Sequence, residues 1–318
     1  MNFLLDRMEN KNIVITLHRI TDPQWFENVL LLLKKKYKII DINDLYLYFT
    51  GQKKLSGCCH ITIDDGDKSI YTIVYPLLLK YGIPVTIFVS PYSISQQKNF
   101  WFQEIAKWNT DVLLKVLSEK LEIPIGKISC YSPEAILRCL SLDKIEEIMK
   151  TCIGLMRTEP LPPQNLSPAE LTELNNSGLV TIGAHTRKHP ILANENHKTA
   201  ENEITGSIDA LSEMLGKKVE YFAYPNGLPA LDFTPRDMDI LKTANIKIAF
   251  SSERVKLSIK DDLLAVPRIG LSYGSTKFIS YKLLLGKYWS ILKSLRTEPE
   301  PAVRKKIYRM LGSKPFST

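Results

Sequence analysis

Three short segments carry side chains whose types and spacing could do chemistry. In Ile61-Thr62-Ile63-Asp64-Asp65-Gly66, two carboxylates stand side by side behind an apolar, β-prone run. Adjacent negative charges cost free energy unless a cation lies close. Neighbours on a strand point to opposite faces, so a turn must bring both into one site, and Gly66 permits one. The second segment is His185-Thr186-Arg187-Lys188-His189-Pro190, directly after the strand-like run 180–184. Two histidines four apart share one face of a helical turn, a spacing suited to a single metal ion. With a carboxylate they make a two-histidine, one-aspartate set that leaves coordination positions open for water. The third, Tyr221-Phe222-Ala223-Tyr224-Pro225-Asn226-Gly227, ends in a sharp loop that could aim a backbone N–H into the site. Each has an ordinary alternative: a solvated Asp-Asp-Gly turn, satisfied surface or core histidines, a plain turn.

The surrounding pattern says what must position these segments. Candidate strands fall at 13–17, 37–42, 58–63, 85–89, 180–184, 221–224, 247–250 and 264–267. Amphipathic runs at 23–35, 70–81 and 199–215 separate them, the second stopped by Gly82-Ile83-Pro84 and the third by Gly216. Strand and helix in alternation imply a mainly parallel sheet, and this many repeats predict a closed or nearly closed barrel. The alternative is an open doubly wound sheet, but there is no glycine-rich dinucleotide fingerprint and no P-loop to support it. The alternation breaks once, between 89 and 180, where helical patterns at 102–121 and 133–156 predict an insertion after the fourth strand, either a substrate wall or a helical bracket. The chemical residues all fall at C-terminal strand ends, where barrel enzymes build their sites.

Length and composition bound the rest. The 318 residues, 44% hydrophobic and 24% charged, suit a globular chain with a full core. The first twelve residues have only a short apolar patch, and no run approaches the ~20 apolar residues of a spanning helix. The five cysteines show no pairing pattern, which predicts reduced thiols and a cytoplasmic location. Cys58-Cys59-His60 lies mid-strand and reads as core packing, and His197 as exposed. From Leu271 onward ten lysines and arginines face only Glu298 and Glu300, so the tail carries the whole net charge of +8. The basicity therefore belongs to a tail and not to a groove, and no nucleic-acid recognition motif accompanies it.

Taken together, the three segments resemble the polysaccharide deacetylase family, carbohydrate esterase family 4. Thr62-Ile63-Asp64-Asp65-Gly66 is similar to its Thr-Phe-Asp-Asp-Gly motif, with Ile63 in place of Phe. His185 to Pro190 matches its His-Ser/Thr-x-x-His-Pro motif, and Pro225-Asn226-Gly227 its Pro-x-Gly loop. Tyr81-Gly82-Ile83-Pro84, Phe100-Trp101 and the approach from Leu166-Ser167 to Leu179 agree as well, so the resemblance spans roughly 13–272. It implies a distorted (β/α) barrel over 1–275, with the helical insert at about 101–166 and a tail at 276–318. It further implies that Asp65, His185 and His189 hold a divalent metal, zinc first and Co2+ or Ni2+ as alternatives. Asp64 would be the general base and the Asn226 N–H an oxyanion donor. Trp101, Tyr224 and Pro225 would contact substrate.

Two departures qualify this. No histidine follows His197, so the late acid of many members is absent. Val14-Ile15-Thr16-Leu17-His18 resembles the early Tyr-His segment of a permuted subset, with Leu17 in place of Tyr, which makes His18 the expected acid. The third motif also lacks its arginine. Val266-Pro267-Arg268-Ile269 resembles the substitute, with Arg268 expected to pair with Asp64 and keep it ionised. The implied function is removal of an N-acetyl group from an amino sugar of a polysaccharide, oligosaccharide or lipid-linked precursor. The alternatives are a deformylase or amidase with the same metal site, or a silent carbohydrate-binding relative. The tail over 278–295 reads as a basic amphipathic helix, either a peripheral membrane contact or a helix docked on the barrel.

Overall fold

A computed structural model describes residues 11–157, 159–253, 255–285 and 298–312. In chain order come β1 (Ile13–Leu17), α1 (Pro23–Lys36), β2 (Lys38–Ile39), α2 (Ile42–Phe49), β3 (Cys58–Ile63), α3 (Tyr75–Tyr81), β4 (Val85–Val89) and α4 (Pro91–Gln96). The insert follows with α5 (Trp101–Ile105), α6 (Thr110–Leu121), α7 (Ile125–Ile128), α8 (Pro133–Leu137) and α9 (Leu142–Met156). Then come α10 (Pro168–Asn176), β5 (Val180–Ala184), α11 (His197–Leu215), β6 (Tyr221–Ala223), α12 (Pro235–Thr243), β7 (Ile248–Phe250) and β8 (Ile269–Gly270). Two helices, α13 (Thr276–Leu285) and α14 (Glu300–Met310), close the described chain.

The sheet runs β7-β6-β5-β4-β3-β1-β8, with β2 beside β3, and every pairing among the described strands is parallel. Phe250 bridges to Val266, so the sheet curls back on itself through the segment before β8 as a distorted barrel. The period of two sorts the side chains. Ile13, Ile15, Leu17, Ile61, Ile63, Val85, Ile87 and Val89 face the helices, against Phe26, Leu30, Val74, Leu78 and Leu211. Val14, Phe88, Tyr221, Ile248 and Phe250 pack on the other face. There lies His60 as well, buried between the Ile40 carbonyl (2.9 Å) and the Thr86 hydroxyl (3.0 Å), its pKa lowered by burial to about 4. It is a neutral core residue.

Several expected boundaries shift for identifiable reasons. The strand expected at 37–42 is only Lys38–Ile39, because the Asp41 carboxylate accepts the Asp44 N–H and starts α2. The strand expected at 264–267 gives way to a turn and a single bridge, since Pro267 has no N–H to continue a ladder; β8 begins at Ile269. Pro76 likewise removes a helical bond, and Ile70–Val74 widens into a π-helical turn in which Tyr75 N–H reaches the Ile70 carbonyl. The helix expected at 102–121 divides where Asn109 caps α6, and that at 133–156 divides at Ser141.

The insert has its own core of Trp101, Leu117, Ile136, Ile148 and Cys152, joined by Leu231, Ile307 and Tyr308. The tail thus divides. Ile279 and Leu283 of α13 turn inward to the barrel core, and α14 packs into the insert. Of the expected tail face, Tyr288, Ile291, Leu292 and Leu295, with the neighbouring Trp289, lie outside the described residues. Among the described residues no helix is long and apolar enough to cross a membrane.

Gly183 sits in β5 two residues before His185 with no room for a side chain: a Cβ would lie 2.4 Å from a Phe88 ring carbon and 2.9 Å from the Tyr221 carbonyl oxygen. Gly183→Ala should therefore destabilise the chain by ~1–3 kcal/mol, the usual range for overpacking. A thermal melt superimposable on the parent's would show that the β4–β5 packing is looser than this.

Candidate active site and metal centre

All three motif segments leave the sheet at the same end. Continuing the β3 alternation through His60 and Thr62 turns Asp64 into the barrel. Asp65 and Gly66 then both adopt left-handed backbone conformations, φ 71° and 70°, which swing the second carboxylate out of strand register. Asp tolerates this region better than most residues, and Gly66 must be glycine for a second reason: a Cβ would lie 2.9 Å from a Val89 methyl. The turn expected between the two aspartates is therefore present.

Asp64 is buried and gripped by a guanidinium. Arg268 donates from Nη1 to Oδ1 at 2.7 Å and from Nη2 to Oδ2 at 2.8 Å, the planar two-point geometry that makes such pairs strong. The arginine is itself 1% exposed, and its guanidinium carbon lies 5.7 Å from the Phe88 ring centre and 5.6 Å from the Phe250 ring centre. It also donates to the Ser251 carbonyl and the Thr62 hydroxyl. Burial alone would raise the Asp64 pKa; the charges of Arg268, His185 and His18, with the Arg268 hydrogen bonds, outweigh it and hold the carboxylate below its ordinary value. The ion pair expected between Arg268 and Asp64 is thus formed inside the barrel rather than on its surface.

Asp65 faces the two histidines. Its Oδ1 lies 3.5 Å from His185 Nε2 and 3.4 Å from His189 Nε2. Segment 185–190 is not the helical turn that its spacing suggests. It is a loop with Thr186 and His189 at φ 61° and 63°, in which the Thr186 hydroxyl accepts the His189 N–H at 3.0 Å. The histidines converge through this turn, not through helical periodicity. His185 Nδ1 lies 2.6 Å from the Ala223 carbonyl, which can only accept, so Nδ1 carries a proton and Nε2 is the nitrogen that faces Asp65. His189 packs against the Phe100 and Phe102 rings, both centred 5.1 Å away. Burial lowers its pKa, with hydrogen bonding to Asp65 opposing, while the two histidines hold Asp65 well below the ordinary carboxylate value against the upward push of burial.

These donors fit a divalent cation. One ionised carboxylate and two imidazole nitrogens have their ligand atoms within 4.8 Å of one another. Two ligands at ~2.0–2.1 Å in tetrahedral coordination would stand ~3.3–3.4 Å apart, close to the separations between Asp65 and each histidine.

The site opens into a cavity of about 1000 Å³ lined by Thr16, His18, Asp64, Asp65, Trp101, Phe102, His185, His189, Asn226 and Ser252, with α8 and the start of α14 on the far wall. His18 follows β1, 55% exposed, its Nε2 4.0 Å from Asp64 Oδ2, beyond direct hydrogen bonding. Asn226 has φ 55° and reaches the cavity; Ser252 braces its loop by donating its hydroxyl to the Asn226 carbonyl and its N–H to the Gly227 carbonyl. Trp101 lines the cavity. Tyr224 does not: it is buried, stacked on Phe233 at 3.7 Å, with its hydroxyl donated to the Leu264 carbonyl. Pro225 is buried too and absent from the lining. Alternation explains both, since Ala223 already delivers its carbonyl to His185 and the chain turns toward the cavity only at Asn226. Phe102, Thr16 and Ser252 escaped the sequence reading. Only Phe102, next to Trp101, had a signal to follow.

The polysaccharide deacetylase family profile matches residues 51–249, more than half the chain. No curated protein matches significantly. Similar solved structures include IcaB from Ammonifex degensii, at 19% identity and a TM-score of 0.60 over 86% of this chain and 97% of that one. The Streptococcus pyogenes deacetylase PplD in complex with acetate is similar at 15% identity and a TM-score of 0.57, over 86% and 98%. A de-N-acetylase from Aggregatibacter actinomycetemcomitans also gives 15% and 0.57, over 86% and 100%. At these identities the likeness establishes the fold, the curled parallel sheet with alternating helices, and the family profile does the rest: the chain belongs to the polysaccharide deacetylase family.

Proposed function

We propose that the chain is a divalent-metal-dependent hydrolase that removes an N-acetyl group from an amino sugar of a glycan or glycan precursor. The observation that carries this reading is the convergence of Asp65, His185 and His189 beside an Asp64 held ionised by Arg268, all at the floor of one cavity. Asp65, His185 and His189 would hold the metal, with zinc suited to this donor set and Co2+ or Ni2+ as substitutes. When bound, the metal supplies Lewis acidity that polarises a carbonyl and makes water a nucleophile near neutral pH.

The chain's own groups divide the remaining work. Asp64 takes the proton of the attacking water through a lone pair used neither by Arg268 nor by the Thr16 hydroxyl, which donates to Oδ2 at 3.4 Å. The Asn226 N–H donates to the oxyanion that develops as the carbon–oxygen bond forms. His18, at the exposed edge, gives a proton to the sugar nitrogen as the carbon–nitrogen bond breaks, because an amide anion is too poor a leaving group to depart unaided. The products are acetate and a free amine. Trp101 and Phe102 offer apolar faces to a sugar ring, and the rings beside His189 keep the site dry, which strengthens every charge interaction in it. The positive charge from Leu271 onward supports peripheral contact with an anionic membrane, which would suit a lipid-linked substrate. Binding to phosphatidylserine vesicles at low salt, lost at high salt, checks this, and no binding at low salt removes it.

Asp64→Asn should retain metal while losing ~10²–10⁴-fold in turnover, the range for a positioned general base. His185→Ala should lose both metal and turnover, and chelation of the parent should abolish acyl release until zinc or cobalt is returned. Acetate release from N-acetylated sugars, free, polymeric and lipid-linked, together with metal analysis, reads all three; an Asp64→Asn enzyme with parental kcat would end the base assignment. Arg268→Met tests the pH dependence. Without the guanidinium, burial dominates and the Asp64 pKa rises, so the pH below which kcat/KM falls should move upward. An acid limb unmoved by this change would show that another group sets it.

A further inference from the structure

We propose that the C-terminal helix α14 is a working part of the active site and that Arg304 is a positioning residue for the Asn226 loop. The helix lies beyond the 51–249 span shared with the family, yet its first turn, Pro299 to Val303, walls the cavity. Arg304 is fully buried one turn further on. Its Nη1 donates to Asp232 Oδ1, and the other oxygen of that carboxylate accepts the Leu228 N–H at 2.8 Å. Its Nη2 donates to the Arg138 carbonyl at 3.1 Å, the Leu231 carbonyl at 3.3 Å and the Tyr308 hydroxyl at 3.1 Å. Tyr308 passes its proton donation to Asn194 Oδ1 at 2.6 Å, and the Asn194 amide donates to the Arg138 and Leu140 carbonyls. One guanidinium thus ties together the insert, the turn that follows His189, and the loop from Asn226 to Asp232.

The loop needs such a tie. Asn226 and Gly227 are both left-handed, φ 55° and 76°, a conformation that nothing in the local sequence makes unique for asparagine. On its upstream side the loop is anchored by β6 and by Ser252. On its downstream side the Leu228 N–H is set by Asp232, and Asp232 is aimed by Arg304. A buried carboxylate without its cation would rotate or draw in water, and either would loosen its hold on the Leu228 N–H. The aim of the Asn226 N–H therefore depends on a residue 78 positions later. This inference rests on the proposed role of that N–H in hydrolysis.

A helix that merely covers the apolar face of the insert would lose stability on mutation and nothing else, and this separates the two roles. In full-length chain, Arg304→Met should bind Co2+ with the parent's affinity and absorption spectrum. It should lower kcat by about tenfold or more, within the ~10²–10³-fold worth of a whole oxyanion donor, while KM changes little. Arg304→Lys should recover part of the loss, since it keeps the charge but not the planar fork. Asp232→Asn added to Arg304→Met should cost little more, because both break one link. Amide exchange should quicken across 224–233 in Arg304→Met and stay unchanged across 58–66. If Arg304→Met fails to fold, Arg304→Lys and Asp232→Asn read the same quantities. Parental kcat per bound metal, or unchanged exchange across 224–233, would overturn the proposal. If the parent releases no acyl group from any glycan, the functional reading fails instead, and the exchange comparison alone decides whether Arg304 holds the loop.

Discussion

Two carboxylates at consecutive positions, both buried at the end of one strand, set the problem that the rest of the site solves. Left together they would repel, and one would protonate. The chain separates them by geometry and gives each its own cation or cation site. Asp64 continues the strand alternation into the barrel and meets Arg268 two-pronged. Asp65 turns out through a left-handed residue and meets two histidines. The same local sequence thus yields one carboxylate whose charge is neutralised by an arginine and one that faces two imidazoles as a candidate cation site.

This division explains which parts of the barrel are polar. A buried arginine costs several kcal/mol in desolvation unless its donors are used. Arg268 spends them on Asp64, Thr62 and Ser251, beside the Phe88 and Phe250 rings. Thr16 and Thr62 lie side by side in register, because β1 and β3 pair in parallel, and one donates to Asp64 while the other accepts from Arg268. The pair Arg304–Asp232 sets a second buried guanidinium on a carboxylate, here through one prong and with its Nε unpaired among the described residues, and joins segments that share no strand ladder.

Much of this was legible beforehand. The β1, β3, β4 and β5 runs were readable to the residue because strands buried on both faces are continuous apolar stretches bounded by turns. The meeting of Asp65, His185 and His189 was expected because carboxylates and imidazoles at strand ends are the types able to hold a cation, and Asn226 was expected only through the resemblance. His18 and Arg268 were readable only through a permuted resemblance, since nothing within either segment says what it faces. The errors share one cause, backbone turning that side-chain periodicity does not encode. The histidine segment is a loop with two left-handed residues, not a helical turn. Tyr224 follows β6 inward to Phe233 instead of facing substrate, and Pro267 interrupts the last strand.

By itself, then, the sequence determined the order of elements, the chemical class of the site and the residues able to bind a cation, because these follow from local pattern and residue type. Tertiary structure alone decided which nitrogen of His185 faces the site, that Arg268 grips Asp64 with two prongs in full burial, and that a helix near the C-terminus walls the cavity. Those facts depend on contacts between segments dozens to hundreds of residues apart: the Ala223 carbonyl on His185, Arg268 on Asp64, Arg304 on Asp232. A hydrogen bond or ion pair of that kind exists only where the folded sheet brings its two ends within about 3 Å, and no spacing along the chain records that distance.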